Sequence, residues 1–323
     1  MKHITFQLNK LARSDKTHAF ATRADRARFL RFFGDALDTQ FKKIELKNLS
    51  SRHLEWFLYA YRSGRLSARG HEPSVGTVKN MLSAIRWALQ RIGKGSLLPS
   101  ENAKLGIANR SHVAKKSHAV RISEDALVAI DRRNPFYGAA VRVMQSHGLR
   151  LEEALKLHPE WADFKTELRL EGSWCKNGRP RSVPTCTRGQ VAAINHAKRI
   201  AGESSLIPTG LSYIQAKREL MRICAEFGLH HRHGLRHAYA QDRFALLAGF
   251  PCPVAGGPSR DKMTLQQQKA DLNVRSQIAR ELGHGRPAIS RAYLGSATAR
   301  PASADIETLS ITQLLDGDTP RGD

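Results

Sequence analysis

Three things are scarce in this chain of 323 residues: cysteine, acidic side chains and long apolar runs. Four cysteines occur, and no two of them have the C-x-x-C spacing of a zinc ribbon. Their scatter also argues against a disulfide framework. No apolar run approaches the length that crosses a membrane, and the N-terminus lacks the apolar core of a signal peptide. These absences predict a reduced, cytoplasmic protein.

The shortage of acidic residues leaves the chain strongly basic. Aspartate and glutamate number 29 against 52 lysines and arginines, so the net charge is +23 and the pI is about 10.4. Such an excess makes a polyanion the default partner, and nucleic acid before a membrane. Residues 1–118 carry 23 basic and 8 acidic side chains (+15), which leaves 29 and 21 (+8) for residues 119–323. The front third is therefore predicted to be the main electrostatic contact with double-stranded DNA.

The front third has the apolar periodicity of a small helical bundle. Residues 1–20 are polar, and we expect them to be only partly ordered. Helices are predicted from 22 to 41, from 50 or 51 to 61, and from 74 to 92, each opened by a serine or threonine that suits an N-cap. The bundle is basic on its polar faces, as a DNA-binding module would be.

Four basic side chains in this region are predicted to contact DNA. Lys79 and Arg86 lie on the polar face of the third predicted helix, whereas Lys115 and Lys116 lie in residues 94–121, which lack strong periodicity. We interpret residues 94–121 as an interdomain linker that follows a phosphate backbone. The alternative is a solvated charged loop.

The remaining residues are predicted to form a mostly helical domain with one small β-hairpin, so the fold class is mostly α with a minor β component (α+β). The hairpin spans residues 167–185 around the turn dipeptide Asn177-Gly178. Helices are predicted from Ser123, at 136–146, 150–157, 188–201 and 212–227, within 230–240, and at 264–282. Residues 249–263 form a Gly/Pro-rich loop, and the tail carries a small amphipathic segment at 306–315.

Four short motifs in this second region carry the chemistry. They are HGLRLEEALKL at 147–157, KNGRPRSVP at 176–184, HGLRHA at 233–238, and LGH at 282–284 with a tyrosine nine residues after the histidine. In spelling and order they resemble the boxes of the tyrosine recombinase (phage integrase) family: G-L-R-x-x-E, a hairpin lysine before Val-Pro, H-x-L-R-H, and L-G-H…Y. The resemblance covers about residues 120–295. It implies a helical core-DNA-binding (SAM-like) domain with a basic linker at 1–118, and a catalytic domain with a C-terminal tail at 119–323.

Elementary chemistry supports a phosphoryl-transfer site built from these residues. His233 and Arg236 lie three apart on one helix face, where an imidazole and a guanidinium suit an anionic oxygen. Forming a tyrosine phenolate at pH 7 costs roughly 4 kcal/mol, and two arginines beside the phosphate would lower that cost and stabilise the transition state. No acidic metal-binding pattern stands out, so arginines in place of a metal ion are the economical interpretation. A metal site at His230, His231 and His237 is disfavoured, because no acidic or thiol partner stands at ligand spacing.

Each candidate residue has a predicted role, and no cofactor or metal is expected. The catalytic set is Tyr293 as nucleophile, Arg150 and Arg236 on the scissile phosphate, His233 and His284 on phosphate oxygens and the tyrosine proton, Lys176 as general acid, and Glu153 as the group that orients an arginine or histidine. Arg179 and Arg181 share the hairpin of Lys176 and are predicted to contact DNA. Either of them is an alternative to Lys176 as the cation nearest the phosphate.

The predicted function is site-specific recombination that integrates or excises a mobile element. The nucleophile would form a 3′-phosphotyrosyl bond, and four protomers would exchange strands through a Holliday junction without ATP, on DNA of the nucleoid. A type IB topoisomerase or hairpin-forming resolvase uses the same residues and is the enzyme alternative; a catalytically decayed DNA-binding protein is the other. The 48 residues from Arg236 to His284 exceed the usual spacing of the family, and the role of the surplus at 249–280 is open. The sequence does not identify the target DNA sequence or any directionality factor. It also leaves open whether the tail docks on its own domain or on a neighbour.

Overall fold

The computed structural model describes residues 3–42 and 44–298 and the main chain of residues 307–309. The chain divides into two units, Met1–Ser111 and His112–Asp323, and each unit has a hydrophobic core of its own. No helix among the described residues is both long enough and apolar enough to cross a membrane.

The described residues of the first unit form four α-helices. These are α1 (His3–Arg13), α2 (Phe20–Gln40), α3 (Ser51–Arg62) and α4 (Val75–Arg91). Ser50 and Ser74 cap α3 and α4 as the sequence predicts, with Ser74 Oγ accepting a hydrogen bond from the main-chain N–H of Thr77. The apolar faces of α2 and α3 meet in the core, where the rings of Phe33 and Phe57 pack edge to face with centroids 4.7 Å apart.

The prediction that residues 1–20 are only partly ordered is wrong. Helix α1 packs against α2 and buries Ile4 and Leu8 completely. Asp38 of α2 accepts hydrogen bonds from the main-chain N–H groups of Ile4 (3.2 Å) and Thr5 (3.1 Å), in the first turn of α1. A carboxylate there satisfies otherwise unpaired donors and complements the helix dipole. The sequence conceals this cap because its two partners lie more than thirty residues apart.

The second unit is built mainly from helices. Its described residues form α5 (Glu124–Arg133), α6 (Pro135–His147), α7 (Leu151–Lys156), α8 (Pro159–Ala162), α9 (Arg188–Ala201), α10 (Tyr213–Glu226), α11 (His233–Ala248), α12 (Leu265–Glu281) and α13 (Arg291–Leu294). Helices α6 and α11 run through the core, where Tyr137 and Phe244 are fully buried. These helices therefore hold the elements around them in fixed positions.

The described part of this unit also contains four short strands: β1 (Val120–Ile122), β2 (Glu167–Leu170), β3 (Arg181–Pro184) and β4 (Glu307–Leu309). Strands β2 and β3 pair antiparallel, with buried Leu168 opposite buried Val183. Their connection turns at Asn177 and Gly178, which both have left-handed φ angles (64° and 67°). The predicted hairpin and the predicted fold class, mostly α with a minor β component, are confirmed.

The tail differs from the prediction in part. Residues 307–309 form β4, which pairs in parallel with β1 of the same chain, Val120 opposite Glu307 and Ile122 opposite Leu309. A strand therefore replaces the first part of the amphipathic segment predicted at 306–315. The other apolar positions of that segment, Ile306, Ile311, Leu314 and Leu315, lie outside the described residues.

Candidate active site

The turn between α6 and α7 places Arg150 and Glu153. Gly148 ends α6 with φ of +61°, and a Cβ atom there would lie 2.5 Å from the ring of Tyr239, so glycine is required. Arg150 then caps α7, and the Glu153 carboxylate reaches back to the main-chain N–H of Arg150 (2.7 Å) and to its Nη1 (2.6 Å). These two bonds orient the guanidinium of Arg150, whose Nη2 donates to Leu282 O just beyond α12.

Helix α11 brings Arg236 into the same place. The side chain is 1 % exposed, and its two terminal nitrogens donate to the main-chain carbonyls of Gly148 and Leu282. Burial, followed by the positive charge of Arg181, lowers the pKa of Arg236 to about 10. Arg236 is therefore still a cation at neutral pH, fixed in orientation by two carbonyl oxygens.

The C-terminal end of α12 collects three guanidinium groups. Leu282 O accepts from Arg150 (3.2 Å) as well as from Arg236, and Glu281 O accepts from Arg181. The last carbonyls of a helix lack intrahelical donors and form the negative end of its dipole, so they suit cations. A Cβ atom at Gly283 would lie 2.7 Å from Cδ of Arg181, which explains why this position is a glycine.

Glu153 is the anion at the centre of this cluster. Its side chain is fully buried and lies 2.6 Å from Arg150, 2.6 Å from Arg181 and 3.9 Å from Arg236. Burial opposes its ionisation, but the charges of Arg181, Arg236 and Arg150 outweigh burial and lower its pKa to about 2. Three guanidinium groups and one carboxylate leave an excess of positive charge that suits a phosphate. The geometry agrees with the orienting role predicted for Glu153, which stays a prediction.

Tyr293, on α13, lies against this cluster and is 5 % exposed. Its Oη is 3.2 Å from Nε2 of His284 and 3.4 Å from Nε2 of His233, and it accepts a hydrogen bond from Nε of Arg236 at 3.4 Å. Three groups from two motifs, 233–238 and 282–284, therefore converge on one phenolic oxygen. The structure brings together the predicted nucleophile, both predicted histidines and a predicted phosphate ligand.

The histidines beside the phenol are neutral near pH 7. Burial, and then the charges of Arg236 and Arg150, lower the pKa of His284 to about 4. The same causes, in the same order, lower the pKa of His233, whose side chain keeps a solvent-exposed part. A neutral imidazole can either donate or accept a proton, and therefore suits both a phosphate oxygen and the tyrosine hydroxyl.

The hairpin residues divide between the surface and the site. Lys176 and Arg179 are exposed in the β2–β3 connection, and neither has a described hydrogen bond to the cluster. Arg181, by contrast, is 4 % exposed and pairs with Glu153, and its predicted contact with DNA stays a prediction. Alternation along β3 explains the difference: Arg181 is two residues before buried Val183 and so faces the same side of the strand.

The other residues predicted to contact DNA also differ in how exposed they are. Lys115 and Lys116 are exposed, and Lys79 is half-buried on α4. Arg86 is tied to its own unit, because Nε donates to Pro99 O (2.8 Å) and Nη1 donates to Asn102 Oδ1 (2.9 Å). Its guanidinium therefore fastens a loop to α4, and its predicted contact with DNA stays a prediction.

Two residues of the site were missed in the sequence. The ring of His237 packs on the ring of Tyr293 with centroids 4.7 Å apart. Gln241 donates a hydrogen bond from Nε2 to the main-chain carbonyl of Tyr293 (3.1 Å). His237 lies one turn after His233 on α11 and Gln241 lies one turn after His237, so i, i+4 spacing from His233 is the signal that would have found them.

Comparisons with known proteins concern the N-terminal part of the chain and the fold. Residues 1–98 match the family model for the N-terminal domain of phage integrases. The search of curated proteins finds no match.

Two solved structures cover most of the chain. A lambda integrase tetramer bound to a Holliday junction has 15 % identity and a TM-score of 0.55 over 94 % of this chain and 79 % of that one. The XerH site-specific recombinase bound to difH substrate has 18 % identity and a TM-score of 0.52 over 90 % of this chain and 80 % of that one. At these identities the likeness shows a shared fold.

Proposed function

We propose that the chain is a tyrosine recombinase that cleaves and rejoins DNA at specific sites through a 3′-phosphotyrosyl intermediate. The match of residues 1–98 to the N-terminal domain of phage integrases and the likeness in fold to lambda integrase and XerH support the proposal. The observation that carries the proposal is the convergence on Tyr293. Its Oη lies within 3.4 Å of two neutral imidazoles and one buried guanidinium. That arrangement suits a phenol that attacks a phosphate diester.

In the cleavage step, Tyr293 Oη forms a bond to phosphorus while the bond from phosphorus to the 5′-oxygen breaks. The phenolic proton passes to an imidazole, His284 being the nearer at 3.2 Å. Arg150 and Arg236 stabilise the charge on the pentacoordinate phosphorus. The departing 5′-oxygen takes a proton from Lys176, which the exposed hairpin would bring to the DNA on binding.

Rejoining is the reverse of cleavage. A 5′-hydroxyl from a partner strand attacks the phosphotyrosine, returns its proton to Lys176, and frees the phenol. The bond energy stays in the covalent link, so no ATP is needed, and the arginines supply the positive charge that a metal ion would otherwise supply. The structural relative on a Holliday junction is a tetramer, which supports four protomers acting on two sites. We infer a role in moving a mobile element within nucleoid DNA.

A suicide substrate tests the proposal. Duplexes that the protein selects from a random-sequence pool would be nicked near the cleavage point, so that a short strand is lost and rejoining is blocked. The full chain should form an adduct on a denaturing gel, and Tyr293→Phe should bind the same duplex without forming it. Adduct formation by the Phe variant would overturn the assignment of the nucleophile. Absence of adduct from the wild type on selected duplexes would favour the decayed DNA-binding alternative, and relaxation of supercoils without strand exchange would favour a topoisomerase.

A further inference from the structure

Gln241 joins two parts of the catalytic unit that are distant in sequence. The residue lies on α11 and is 3 % exposed. Its Nε2 donates to the main-chain carbonyl of Tyr293 at 3.1 Å, and its Oε1 accepts from Oγ of Ser117 at 3.0 Å. Both ends of the amide are therefore used, and they connect the helix of the nucleophile to the segment that leads into the unit.

The helix of the nucleophile needs such support. Helix α13 has four residues, far below the length at which a helix is stable alone. The carbonyls at the end of a helix have no intrahelical donor, so the Tyr293 carbonyl needs a partner from elsewhere. Gln241 supplies it from α11, the helix that also carries His233 and Arg236. The main chain of the nucleophile is thereby fixed relative to its neighbours in the site.

The segment at the other end of this link is basic. We call residues 114–119 the connecting segment. It contacts α13 directly as well, since the main-chain N–H of Ala114 donates to Arg291 O at 3.0 Å. Between that contact and Ser117 lie the exposed side chains of Lys115 and Lys116. Contact between these lysines and DNA phosphates would therefore act on a segment that is fastened to the nucleophile's helix at two points.

We propose that Gln241 is a positioning residue for Tyr293, and that its bond to Ser117 couples the position of the nucleophile to contact between the connecting segment and DNA. The inference rests on the proposed function. Gln241 touches no reacting atom in this arrangement. It acts through the main chain of Tyr293, so its loss should slow attack on phosphorus and leave DNA affinity unchanged.

A set of matched variants separates positioning from general support of the fold. Gln241→Leu removes both hydrogen bonds at similar volume. Gln145→Leu is the control, because Gln145 also bridges main chain from a helix, donating to Ile122 O (3.2 Å) and accepting from Ile122 N–H (2.8 Å), away from Tyr293. Ser117→Ala removes the coupling bond together with the bond that Ser117 Oγ accepts from the main-chain N–H of Ala119 (3.1 Å), and Ser117→Thr retains the hydroxyl for both.

The experiment measures single-turnover adduct formation on the nicked duplex, with the dissociation constant of the same duplex measured in parallel. Gln241→Leu should slow adduct formation by about 10²-fold, the scale expected for a misplaced reacting group, with the dissociation constant unchanged. Ser117→Ala should show a smaller loss and Ser117→Thr should restore the wild-type rate. Gln145→Leu should match the wild type in rate per folded molecule.

A second substrate identifies the step that is impaired. When sulfur replaces the bridging 5′-oxygen, the leaving group departs as a thiolate and needs no proton. Lys176→Ala should recover on this substrate, whereas Gln241→Leu should stay slow, because its defect lies in the nucleophile.

Several results would overturn the inference. These are wild-type rates in Gln241→Leu and Ser117→Ala, an equal loss in Gln145→Leu, or recovery of Gln241→Leu on the sulfur substrate. If Gln241→Leu does not fold, the Ser117 pair decides alone. Absence of adduct from the wild type would instead refute the proposed function, and the inference would fall with it.

Discussion

The guanidinium of Arg181 lies 2.6 Å from the buried carboxylate of Glu153, in a pair that the sequence did not indicate. This contact adds a third arginine to the two expected around the phosphate. It also explains how three guanidinium groups coexist in a small buried volume, since one carboxylate and the carbonyl end of α12 offset their repulsion.

Arg181 and Arg179 form a natural pair for mutation. Arg181→Ala should destabilise the protein by about 3 kcal/mol, because it leaves a buried carboxylate with one partner fewer, and it should also slow cleavage. Arg179→Ala should leave stability unchanged and weaken DNA binding, because that side chain is exposed. Urea unfolding and duplex titration measure the two effects. An equal loss of stability in both variants would contradict the inward placement of Arg181.

Glu153 predicts a specific dependence of stability on pH. Its pKa is about 2 in the folded protein against an ordinary value of 4.5, so the unfolded chain binds more protons between these values. The carboxylate therefore contributes stability, on the order of 3 kcal/mol, that is present above pH 4.5 and is lost as pH falls toward 2. The free energy of unfolding of Glu153→Gln, followed by urea titration, should lie below that of the wild type at pH 7. The gap should narrow between pH 4.5 and 2.

The control for this prediction is Glu152→Gln. That carboxylate is exposed and pairs with Lys156 on the surface, at 2.6 Å, where ion pairs contribute little. The free energy of unfolding of Glu152→Gln should differ little from that of the wild type at every pH. A constant gap for Glu153→Gln over the same range would show that its carboxylate is not held ionised by the arginines.

Arg150 and Arg236 should be essential to the rate. Each substitution by alanine should slow cleavage by roughly 10²–10³, the scale for removal of one donor to a developing oxyanion. Lysine should restore little, because an ammonium cannot reproduce the fixed fork that meets Leu282 O and the phosphate together. Single-turnover adduct formation measures both effects. A chelator should leave the rate unchanged, and inhibition by a chelator that added metal reverses would point to a metal-dependent reaction.

Much of the fold was predictable because its signals are local. Serine and threonine caps and apolar spacing located most of the helices, and the paired left-handed residues Asn177 and Gly178 located the hairpin. Helix α1 was not predictable in this way, because its first turn depends on Asp38 of another helix. The same holds for β4, whose partner β1 lies nearly two hundred residues earlier.

The residues of the site also separate into those with local sequence signals and those without. The seven candidate catalytic residues, from Arg150 to Tyr293, could be named because they lie within recognisable motifs. The pairing of Arg181 with Glu153 and the role of Gln241 could not, because each depends on a contact made only in three dimensions. Strand alternation on β3 and helical spacing on α11 limit such residues to a few positions. They do not identify which position faces the nucleophile.

The first unit should bind DNA through its charge. Residues 1–111 carry 21 basic and 8 acidic side chains, and they form a unit with its own core. If about six phosphates are contacted, log K against log salt should have a slope of about −5. Lys79→Ala should reduce the slope by about one, whereas Arg86→Ala should lower the melting temperature instead, because Arg86 holds Pro99 and Asn102. A slope near zero for the fragment would mean that its charge is only solvated surface.

The tail can be divided at the end of β4 into two parts with different roles. Strand β4 pairs with β1 of its own chain, and β1 packs closely on α11, where a Cβ atom at Gly234 would lie 2.5 Å from Val120. Removing residues 303–323 should therefore expose the edge of β1 and lower the melting temperature of the catalytic unit.

Removing only residues 310–323 keeps β4 and deletes Ile311, Leu314 and Leu315, an apolar strip too short to be a stable helix alone. We expect this shorter deletion to leave single-site binding and melting unchanged and to weaken the joining of two sites by four protomers, because the strip would dock on a neighbouring protomer. Native gels of the complexes measure that stoichiometry. If the shorter deletion assembles two sites as readily as the full chain, the tail does not link protomers, and its role is limited to the strand that it adds beside β1.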